Sequence, residues 1–559
     1  MTASSLDPVT AADSPSRLTT VLWGRQLLHY PETGRRYWFL AISVATTIVL
    51  YYQLYVQYSM STAILTHYGM TYTYFVFISV VANAVGAFGS LVAGLADRWG
   101  RANLTVYGSL GVGLLVTFWL PVASDKLMFG LVITLVSLVE GMILVTTPAL
   151  VRDFSPQVGR ASAMGFWTMG PVIGSLILNV VVSQTYKGAT TWQQEVRFAG
   201  VAGLVVFVAA LFGLRELSPR LRDQIMVSLR DRVLIEARAK GLQAESLLDN
   251  QWRQMLRFNV VGSAFAISAF LLFYYAAVGS FTVYYATVFG YLLQRTAGLL
   301  NWYWSTNALA LILAGVASDR LRVRKPFMLV GALGSAVFVV LFALDATKPA
   351  TGYYTFAWLC VGIGISGGLA FGPWMASFTE TVERRNPAAT ATGLAVFGWI
   401  NRILVAASVA VLPIVVSSVT PLVEHGAQVT VASQQAAPAL AVINAHPQLF
   451  AQLENYPVFT SAPPALQAQA VQEVGAAGLT TVATAEPALK VLQQYGTSVS
   501  QASKDNPRDW RNWWWVCLAG QLLFIPFVFG MAGRWSPRRA KDDFDEYERI
   551  VAEQTAALG

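Results

Sequence analysis

Long apolar blocks, each close to the roughly 20 residues that cross a bilayer core as a helix, recur along most of the chain. Helices are the expected form because lipid offers no hydrogen-bond partners, so each segment must satisfy its own backbone groups. The pattern therefore predicts an all-α membrane protein with twelve transmembrane helices. The predicted spans are residues 37–60, 72–95, 103–122, 127–150, 161–184, 198–214, 258–284, 296–317, 327–345, 353–379, 391–418 and 511–533.

The connections between these blocks differ in charge from one side of the predicted membrane to the other. Lys and Arg cluster before the first span and after each even-numbered span, whereas the alternate connections contain few of either residue. Basic loops tend to stay in the cytoplasm. This asymmetry predicts a multi-pass protein of the cell membrane (inner or plasma membrane) with both termini in the cytoplasm.

Two segments do not fit a membrane span. The first divides the spans six and six, and its apolar residues recur every four positions between charges, which predicts an amphipathic helix at the cytoplasmic interface. The second is rich in Ala, Gln, Val and Pro, which predicts an extracytoplasmic insertion, either a small cap or a loosely ordered loop. The predicted organisation is a cytoplasmic tail (1–36), a six-helix half (37–214), the amphipathic linker (215–257), spans seven to eleven of the second half (258–418), the insertion (419–510), span twelve (511–533) and a cytoplasmic tail (534–559).

Composition supports the membrane prediction. Of the 559 residues, 55% are hydrophobic and 12% are charged, against about 25% charged in a soluble domain, and the mean hydropathy is +0.51. The formal net charge of +8 is explained by the basic loops, so no nucleic-acid partner is predicted. Two cysteines and four scattered histidines have no metal-ligand spacing, so no metal, cofactor or enzymatic activity is predicted.

A short motif recurs at matching places in the two groups of six spans. It follows span two and again span eight, so the chain consists of two related halves, an internal repeat of the kind found in transporters. An Asp at a helix end can accept hydrogen bonds from Arg side chains, and such a cluster can form and break as one side of the membrane closes and opens. The motif residues are Asp97, Arg98, Gly100 and Arg101 in the first copy and Gly315, Asp319 and Arg320 in the second.

The first copy resembles the major facilitator superfamily signature Gly-x-Leu-Ala-Asp-Arg-x-Gly-Arg-Arg, with Ala93 and Ala102 in place of its first Gly and last Arg. After span four, Asp153-x-x-Pro-x-x-x-Arg160 resembles the Glu-x-x-Pro-x-x-x-Arg element of sugar and metabolite porters in that superfamily. The resemblance covers about residues 37–533 apart from the insertion. It implies a monomer that works by rocking of two six-helix halves, with gating roles for the repeated motif, Asp153 and Arg160.

Two charged residues lie near the middle of predicted spans, Glu140 in span four and Arg402 in span eleven. A charge at that depth costs roughly 3 kcal/mol or more unless it faces a polar cavity or a partner. In the superfamily these two spans border the central cavity. A partly desolvated carboxylate can exchange a proton, and an Arg can bind a carboxylate or phosphate by two parallel hydrogen bonds. The competing interpretation is a structural Glu–Arg pair or separate helix-packing bonds.

Other polar and aromatic residues in the spans can line a ligand cavity, although most such residues pack against neighbouring helices. Trp302, Trp304 and the tryptophans at 513–515 are instead predicted to lie in the interfacial aromatic belt. Tyr55 and Tyr274 occupy equivalent parts of spans one and seven. The candidate substrate and proton residues are Glu140, Arg402, Asn179, Asn401, Gln53, Gln57, Tyr51 and Tyr275.

These features predict a secondary transporter whose partners are a small-molecule solute, protons and the lipid bilayer. Proton-coupled uptake of a small organic anion or related metabolite is the favoured activity, and a neutral sugar stays open. A drug/proton antiporter is an alternative because Gly170-Pro171-x-x-Gly174 matches the core of that group's motif, although Phe166 replaces an expected Gly. A receptor or scaffold that binds a partner through residues 419–510 is a further alternative.

Overall fold

The structure is a computed structural model of the chain. It describes residues 22–91, 99–155, 165–187, 190–218, 221, 251–385, 390–456, 458–542, 545–546 and 549. Most of these residues are helical, and the strands among them are the two-residue β1 (Gln26–Leu27) and β2 (Glu216–Leu217). The all-α fold class predicted from the sequence is confirmed.

The helices before β2 form the first group. A π-helical turn (Leu115–Trp119) and a 3-10 turn (Leu120–Val122) extend its fourth member. The helices are α1 (Thr33–Ser59), α2 (Ser61–Tyr68), α3 (Tyr72–Leu91), α4 (Arg101–Leu114), α5 (Lys126–Phe154), α6 (Gly170–Thr185) and α7 (Trp192–Gly213).

The helices after β2 form the second group, which includes those of the predicted insertion. A 3-10 turn (Phe459–Ser461) and a π-helical turn (Leu492–Gly496) lie between the last of them. The helices are α8 (Gln251–Met255), α9 (Phe258–Phe270), α10 (Leu272–Gly279), α11 (Phe281–Phe289), α12 (Leu293–Arg320), α13 (Lys325–Asp345), α14 (Tyr353–Arg385), α15 (Thr390–Val415), α16 (Val419–Ala445), α17 (Pro447–Leu453), α18 (Pro464–Thr484), α19 (Glu486–Val491) and α20 (Thr497–Gly530).

Within the described ranges, nine helices are long and apolar enough to cross a membrane, or ten if α9 and α10, which meet at 45°, form one bent span. Two further predicted spans contain less typical helices. The apolar α6 has 16 residues, and α12 is long but carries polar residues such as Arg295, Asn301 and Asn307 along its length. The predicted number of twelve is therefore consistent with the structure but is not established by it.

Residues 419–510 are largely helical. α16 packs against α18 and α19, and the buried side chains of Ala432, Ala436 and Ala488 form a small core between α16 and α19. The helix that contains predicted span twelve begins well before residue 511, because α20 runs without a break from residue 497 to residue 530. Hydropathy marks where a helix enters lipid, whereas its start depends on backbone preferences that the polar residues before 511 also satisfy.

Three tryptophans that were predicted for the interfacial belt lie in the protein core, so that prediction is wrong for them. The side chains of Trp304 and Trp514 are completely buried, and Trp513 is almost so. The Trp514 ring lies 5.5 Å from that of Phe273 and 5.1 Å from that of Phe342, measured between centroids. Ring pairs at these separations attract each other. A position along a span does not reveal which face of the helix a tryptophan occupies.

The segment before α1 is packed against the first group of helices. β1 pairs in parallel with β2, which places Gln26 beside Glu216. The Arg25 side chain is completely buried and donates hydrogen bonds to the carbonyl oxygens of Ala210 and Leu211 near the end of α7. These carbonyls belong to the last turn, where a helix leaves acceptors without internal partners. Part of the predicted N-terminal tail is therefore built into the fold.

Gly100 occupies a position that a side chain would not fit. Its φ is +93°, in a region that essentially only glycine enters without strain. A Cβ added there would lie 2.3 Å from Oε1 of Glu216. The buried Glu216 carboxylate accepts a hydrogen bond from the Ala102 N–H at 3.2 Å, which satisfies an amide at the start of α4. The glycine of the first motif copy thus lets this carboxylate reach the helix end.

Candidate functional site

The helices end at two opposite faces of the molecule. We define the insert face as the end where α16 to α19 lie, and the basic face as the end where Arg101 and Arg324 lie. α3 begins at the insert face, since the Tyr72 N–H donates to Oε1 of Glu424 in α16 at 3.1 Å. α4 and α13 begin at the basic face, with Arg101 as the first residue of α4 and Arg324 directly before α13.

At the basic face, each half pairs an acidic residue with one of these two arginines. Nη1 of Arg101 donates to both carboxylate oxygens of Asp153, each at 2.9 Å. Arg324 lies 2.6 Å from the Asp319 carboxylate and 3.2 Å from that of Glu380. Asp153 lies near the end of α5 and Glu380 near the end of α14. The internal repeat is therefore visible as the same acid–Arg arrangement in both halves.

The structure brings part of the predicted gating motifs together. Gly100 and Arg101 lie beside one another at the start of α4, and Arg101 reaches Asp153. In the second copy Asp319 is paired but Arg320 is exposed, and a side chain at Gly315 would meet open space. Asp97, Arg98 and Arg160 lie outside the described residues.

Glu140 of α5 and Arg402 of α15 interact inside the helix bundle, one from each half. The Glu140 side chain is buried with 7% of its surface exposed, and Arg402 is partly buried. Their charges attract each other through space. They do not form an ion pair, and neither side chain has a hydrogen-bond partner among the residues that the structure describes. The geometry thus leaves both charged groups available to a third group.

A row of tyrosines on α1 lies beside these charges. Tyr51, Tyr55 and Tyr58 all interact electrostatically with Glu140, and Tyr51 also interacts with Arg402. Their spacing of four and three residues places them on one face of α1. Tyr58 was not predicted, although the same spacing would have identified it from the sequence.

The second half adds its own tyrosines to this cluster. The Tyr275 hydroxyl donates a hydrogen bond to Oδ1 of Asn401, which joins α10 to α15 directly beside Arg402. The neighbouring Tyr274 interacts with Tyr55 of α1 across the boundary between the halves. Five of the predicted site residues therefore come together in one place, which we call the central cluster. They are Glu140, Arg402, Tyr51, Tyr275 and Asn401.

Asn179 of α6 lies next to the central cluster, in a small cavity that Tyr55 and Trp304 also line. Its amide nitrogen donates to the Ser175 carbonyl at 2.8 Å. Its buried Oδ1 has no partner among the described residues. A hydroxyl or amino group of a ligand could therefore donate to this oxygen.

The predicted glutamines lie elsewhere on α1. Gln53 faces α7, where its amide nitrogen would be only 2.0 Å from a Cβ added at Gly203. The Gln57 amide nitrogen donates to the Leu54 carbonyl at 3.2 Å. Both side chains are buried, and the structure does not bring them to the central cluster.

At the insert face, hydrogen bonds join α6 of the first half to α12 of the second. Nε2 of Gln294 donates to the Ser183 carbonyl, and Nδ2 of Asn301 donates to the Ser183 hydroxyl, both at 3.1 Å. The bond from Tyr72 to Glu424 adds a connection between the first half and the insertion at the same face. We call the Ser183–Gln294–Asn301 set the insert-face latch.

The Gly170-Pro171-x-x-Gly174 element packs α6 closely against α1. A Cβ added at Gly170 would lie 2.7 Å from Cγ2 of Thr47, and one at Gly174 would lie 2.7 Å from the Ile48 carbonyl oxygen. These distances leave no room for a methyl group. The element that favoured a drug antiporter therefore has a packing explanation in this chain.

Glu195 is a buried carboxylate that is not among the predicted site residues. Glu195 lies in the first turn of α7, where a charge near a span end is expected to reach water, yet its side chain has no exposed surface. The described ranges contain no group of three or more His, Cys, Asp and Glu residues placed to hold a metal ion.

Comparison with known proteins identifies relatives of this fold. A family model described as Major Facilitator Superfamily matches residues 42–408. One similar solved structure is a bacterial homolog to the human lysosomal transporter Spinster, in an inward-facing and unoccupied conformation. It has 15% identity and a TM-score of 0.53, and the match covers 91% of this chain and 100% of that one.

The xylose transporter XylE from E. coli, in a partially occluded inward open conformation, is also similar. It has 13% identity and a TM-score of 0.53, with 68% of this chain and 92% of that chain covered. At such identities the likeness shows the fold alone. No curated protein sequence matches the chain.

Proposed function

The chain belongs to the Major Facilitator Superfamily, and we propose that it takes up a small organic anion, such as a carboxylate metabolite, together with protons. Family and fold make it a secondary transporter and not an enzyme. The observation that carries the substrate proposal is Arg402, a cation inside the helix bundle with no ion-pair partner among the described residues.

Arg402 supports an anionic substrate because of what an unpaired guanidinium requires. A buried charge is stable only with a partner or with water, and Glu140 attracts Arg402 without forming an ion pair. A substrate carboxylate can accept two parallel hydrogen bonds from one guanidinium. Such a carboxylate would supply the partner that the described residues do not.

Glu140 is the proposed proton site of the central cluster. Its carboxylate interacts with the tyrosines of α1 and with Arg402 of the other half. An incoming substrate anion at Arg402 would weaken the attraction that favours the ionised form of Glu140. Proton binding at Glu140 would then accompany substrate binding at Arg402.

We further propose that the basic face is cytoplasmic and that the protein lies in the cell membrane, with both termini in the cytoplasm. The excess of Lys and Arg on that side supports this orientation. The insert-face latch would then close the extracytoplasmic side. The ion pairs of Arg101 and Arg324 would take part in closing the cytoplasmic side, as the resemblance of their motifs implies.

The function can be tested by uptake into proteoliposomes that contain the full chain. Labelled organic acids, sugars and cationic drugs should be screened with and without an imposed pH gradient. We expect an organic acid to accumulate when the outside is acidic, and accumulation to stop when the gradient is dissipated. Export of cationic drugs without any movement of acids would contradict the proposal.

Glu140→Gln should remove the dependence of uptake on the pH gradient, because the amide cannot bind and release a proton. Exchange of labelled for unlabelled substrate at equal pH should continue, since it needs no net proton movement. Gradient-driven accumulation and exchange are measured in the same vesicles. Glu486→Gln is the matched control, because this carboxylate pairs with Lys490 at an exposed site in the insertion. If the Glu140 variant accumulates substrate normally in a pH gradient, Glu140 is not the proton site.

A neutral sugar is the second candidate substrate. The Tyr275–Asn401 pair and the unpartnered Oδ1 of Asn179 supply hydrogen-bonding groups that suit hydroxyls. The similar fold of a protein described as a D-xylose-proton symporter is compatible with this candidate. Uptake of a sugar and of no acid in the same screen would support it over the anion.

A further inference from the structure

Glu195 of α7 is a buried carboxylate. The N-terminus of its own helix would stabilise a charge there by much less than the cost of burying that charge. Its side chain is completely buried. Oε1 lies 2.6 Å from the hydroxyl of Thr185 at the end of α6. Oε2 is buried and has no hydrogen-bond partner in the part of the chain that the structure describes. No Lys or Arg from those ranges forms an ion pair with it.

The Thr185 hydroxyl has two oxygen neighbours but only one proton to donate. The Thr185 hydroxyl also lies 2.7 Å from the carbonyl oxygen of Val181, four residues earlier in α6. A hydroxyl has one proton to donate, and a carbonyl can only accept. Thr side chains in helices commonly donate to the carbonyl four residues before. If Thr185 does so, the short contact with Glu195 is a hydrogen bond only when the carboxyl group carries a proton and donates it.

The alternative proton arrangement is costly. If Thr185 donated to Glu195 instead, an ionised carboxylate would be buried with one donor on one oxygen and none on the other. Burying a charge without compensating hydrogen bonds is far more costly than burying the neutral acid. Both the proton count and the burial therefore favour the neutral form.

The titratable groups around Glu195 do not reverse this conclusion. Tyr52 of α1 and Tyr186 after α6 interact with it electrostatically, and both are neutral at physiological pH. On its own helix and on the connection before it, Arg197 and Lys187 are exposed. His67 of α2 contacts the Trp192 ring, at 5.5 Å between ring centroids, from an exposed position.

The neighbourhood of Glu195 is also linked to the contact between the two halves. Thr185 lies two residues after Ser183, which accepts the hydrogen bonds of the insert-face latch from Gln294 and Asn301. Opening of the insert face must break these bonds and free the end of α6. Water that enters there would reach the Glu195 carboxyl group.

We propose that Glu195 is a proton-binding site that holds its proton while the insert face is closed and exchanges it when that face opens. Its ligand is the proton alone, and the site is separate from the central cluster. The link to solute movement rests on the proposed transport function, whereas the protonated state of Glu195 does not.

The protonated state can be measured without any substrate. A protonated carboxyl group has a carbonyl stretching band that the ionised form lacks. We expect infrared spectra of the purified full chain at neutral pH to show a buried-acid band that disappears in Glu195→Gln. The Gln side chain can donate to Thr185 as the neutral acid does, so the variant should unfold at the wild-type temperature. No loss of intensity in the folded variant would overturn the proposal.

A second pair of variants tests the hydrogen bond itself. Thr185→Val removes the acceptor, so the Glu195 band should shift in frequency, whereas Thr185→Ser keeps the hydroxyl and should leave the band in place. An unshifted band in the Val variant would contradict the assigned contact. A Glu195 band in a protein that moves no acid in the vesicle screen would sustain the proton site and reject anion uptake. Proton-driven acid uptake by a protein without the Glu195 band would support anion uptake and reject the proton site.

Discussion

Arg402→Gln should lower the uptake of an acidic substrate at sub-saturating concentration by about tenfold to a hundredfold. Hydrogen bonds to a charged group contribute about 1.5–3 kcal/mol, and each 1.4 kcal/mol corresponds to roughly tenfold in affinity. The Gln amide can still donate one hydrogen bond, so the proposed site loses one of the two parallel bonds together with the charge. Initial rates of acid uptake over a range of concentrations measure the change as a rise in KM.

Two further variants make this result interpretable. Arg402→Lys keeps the charge but not the planar pair of donors, so it should restore only part of the affinity. Arg508→Gln removes an exposed Arg of α20 outside the proposed membrane span and should leave uptake unchanged. If Arg402→Gln transports acids with a normal KM, the residue is structural and the carboxylate substrate must be abandoned.

Gly100→Ala should destabilise the folded protein by about 2–6 kcal/mol, as the sum of two effects. A non-glycine residue at an unfavourable positive φ costs about 1–3 kcal/mol, and overpacking adds typically 1–3 kcal/mol. Here the added methyl group would meet the Glu216 carboxylate at 2.3 Å. The midpoint of thermal unfolding in detergent, together with the yield of monodisperse protein, measures the loss.

Gly111→Ala is the matched control for that substitution. Gly111 lies within α4, the helix that begins directly after Gly100. A Cβ added at Gly111 would meet nothing within 4 Å. Ala is the better helix former, so this variant should unfold at the same temperature or slightly higher. In a Glu216→Ala background the cost of Gly100→Ala should shrink, because only the backbone strain remains. If Gly100→Ala alone leaves the midpoint of thermal unfolding unchanged, the start of α4 does not require glycine and this prediction is wrong.

Much of the fold can be predicted from the sequence because a helix that crosses a membrane must be apolar over about 20 residues. Apolar length identifies the spans, and the repeated Asp-Arg motif identifies the two halves. Glu140 and Arg402 stand out because a charge in the middle of an apolar block must have a reason. Burial cost singled out these two residues, and the superfamily resemblance implied that their spans border one cavity. The structure places both in one cluster with Tyr51, Tyr275 and Asn401.

Other features depend on contacts that a linear pattern does not contain. Glu195 lies near the end of a span, and its burial arises from the neighbouring helix end and connection. The orientation of Trp514 depends on which helix packs beside it. The pairing of Gln26 with Glu216 joins segments separated by six predicted spans. Gly100 looked like a motif residue, and only the structure shows which carboxylate it accommodates.

The unbroken helix α20 has a mechanical consequence. Its 34 residues extend about 50 Å at 1.5 Å per residue, which exceeds the roughly 30 Å hydrocarbon core of a bilayer. The N-terminal part of α20 therefore extends beyond the lipid on the side where the insertion is attached. If the halves rock as proposed, any change in the tilt of this helix would be transmitted to the insertion as a lateral displacement. A fluorophore on α18 would report such a displacement.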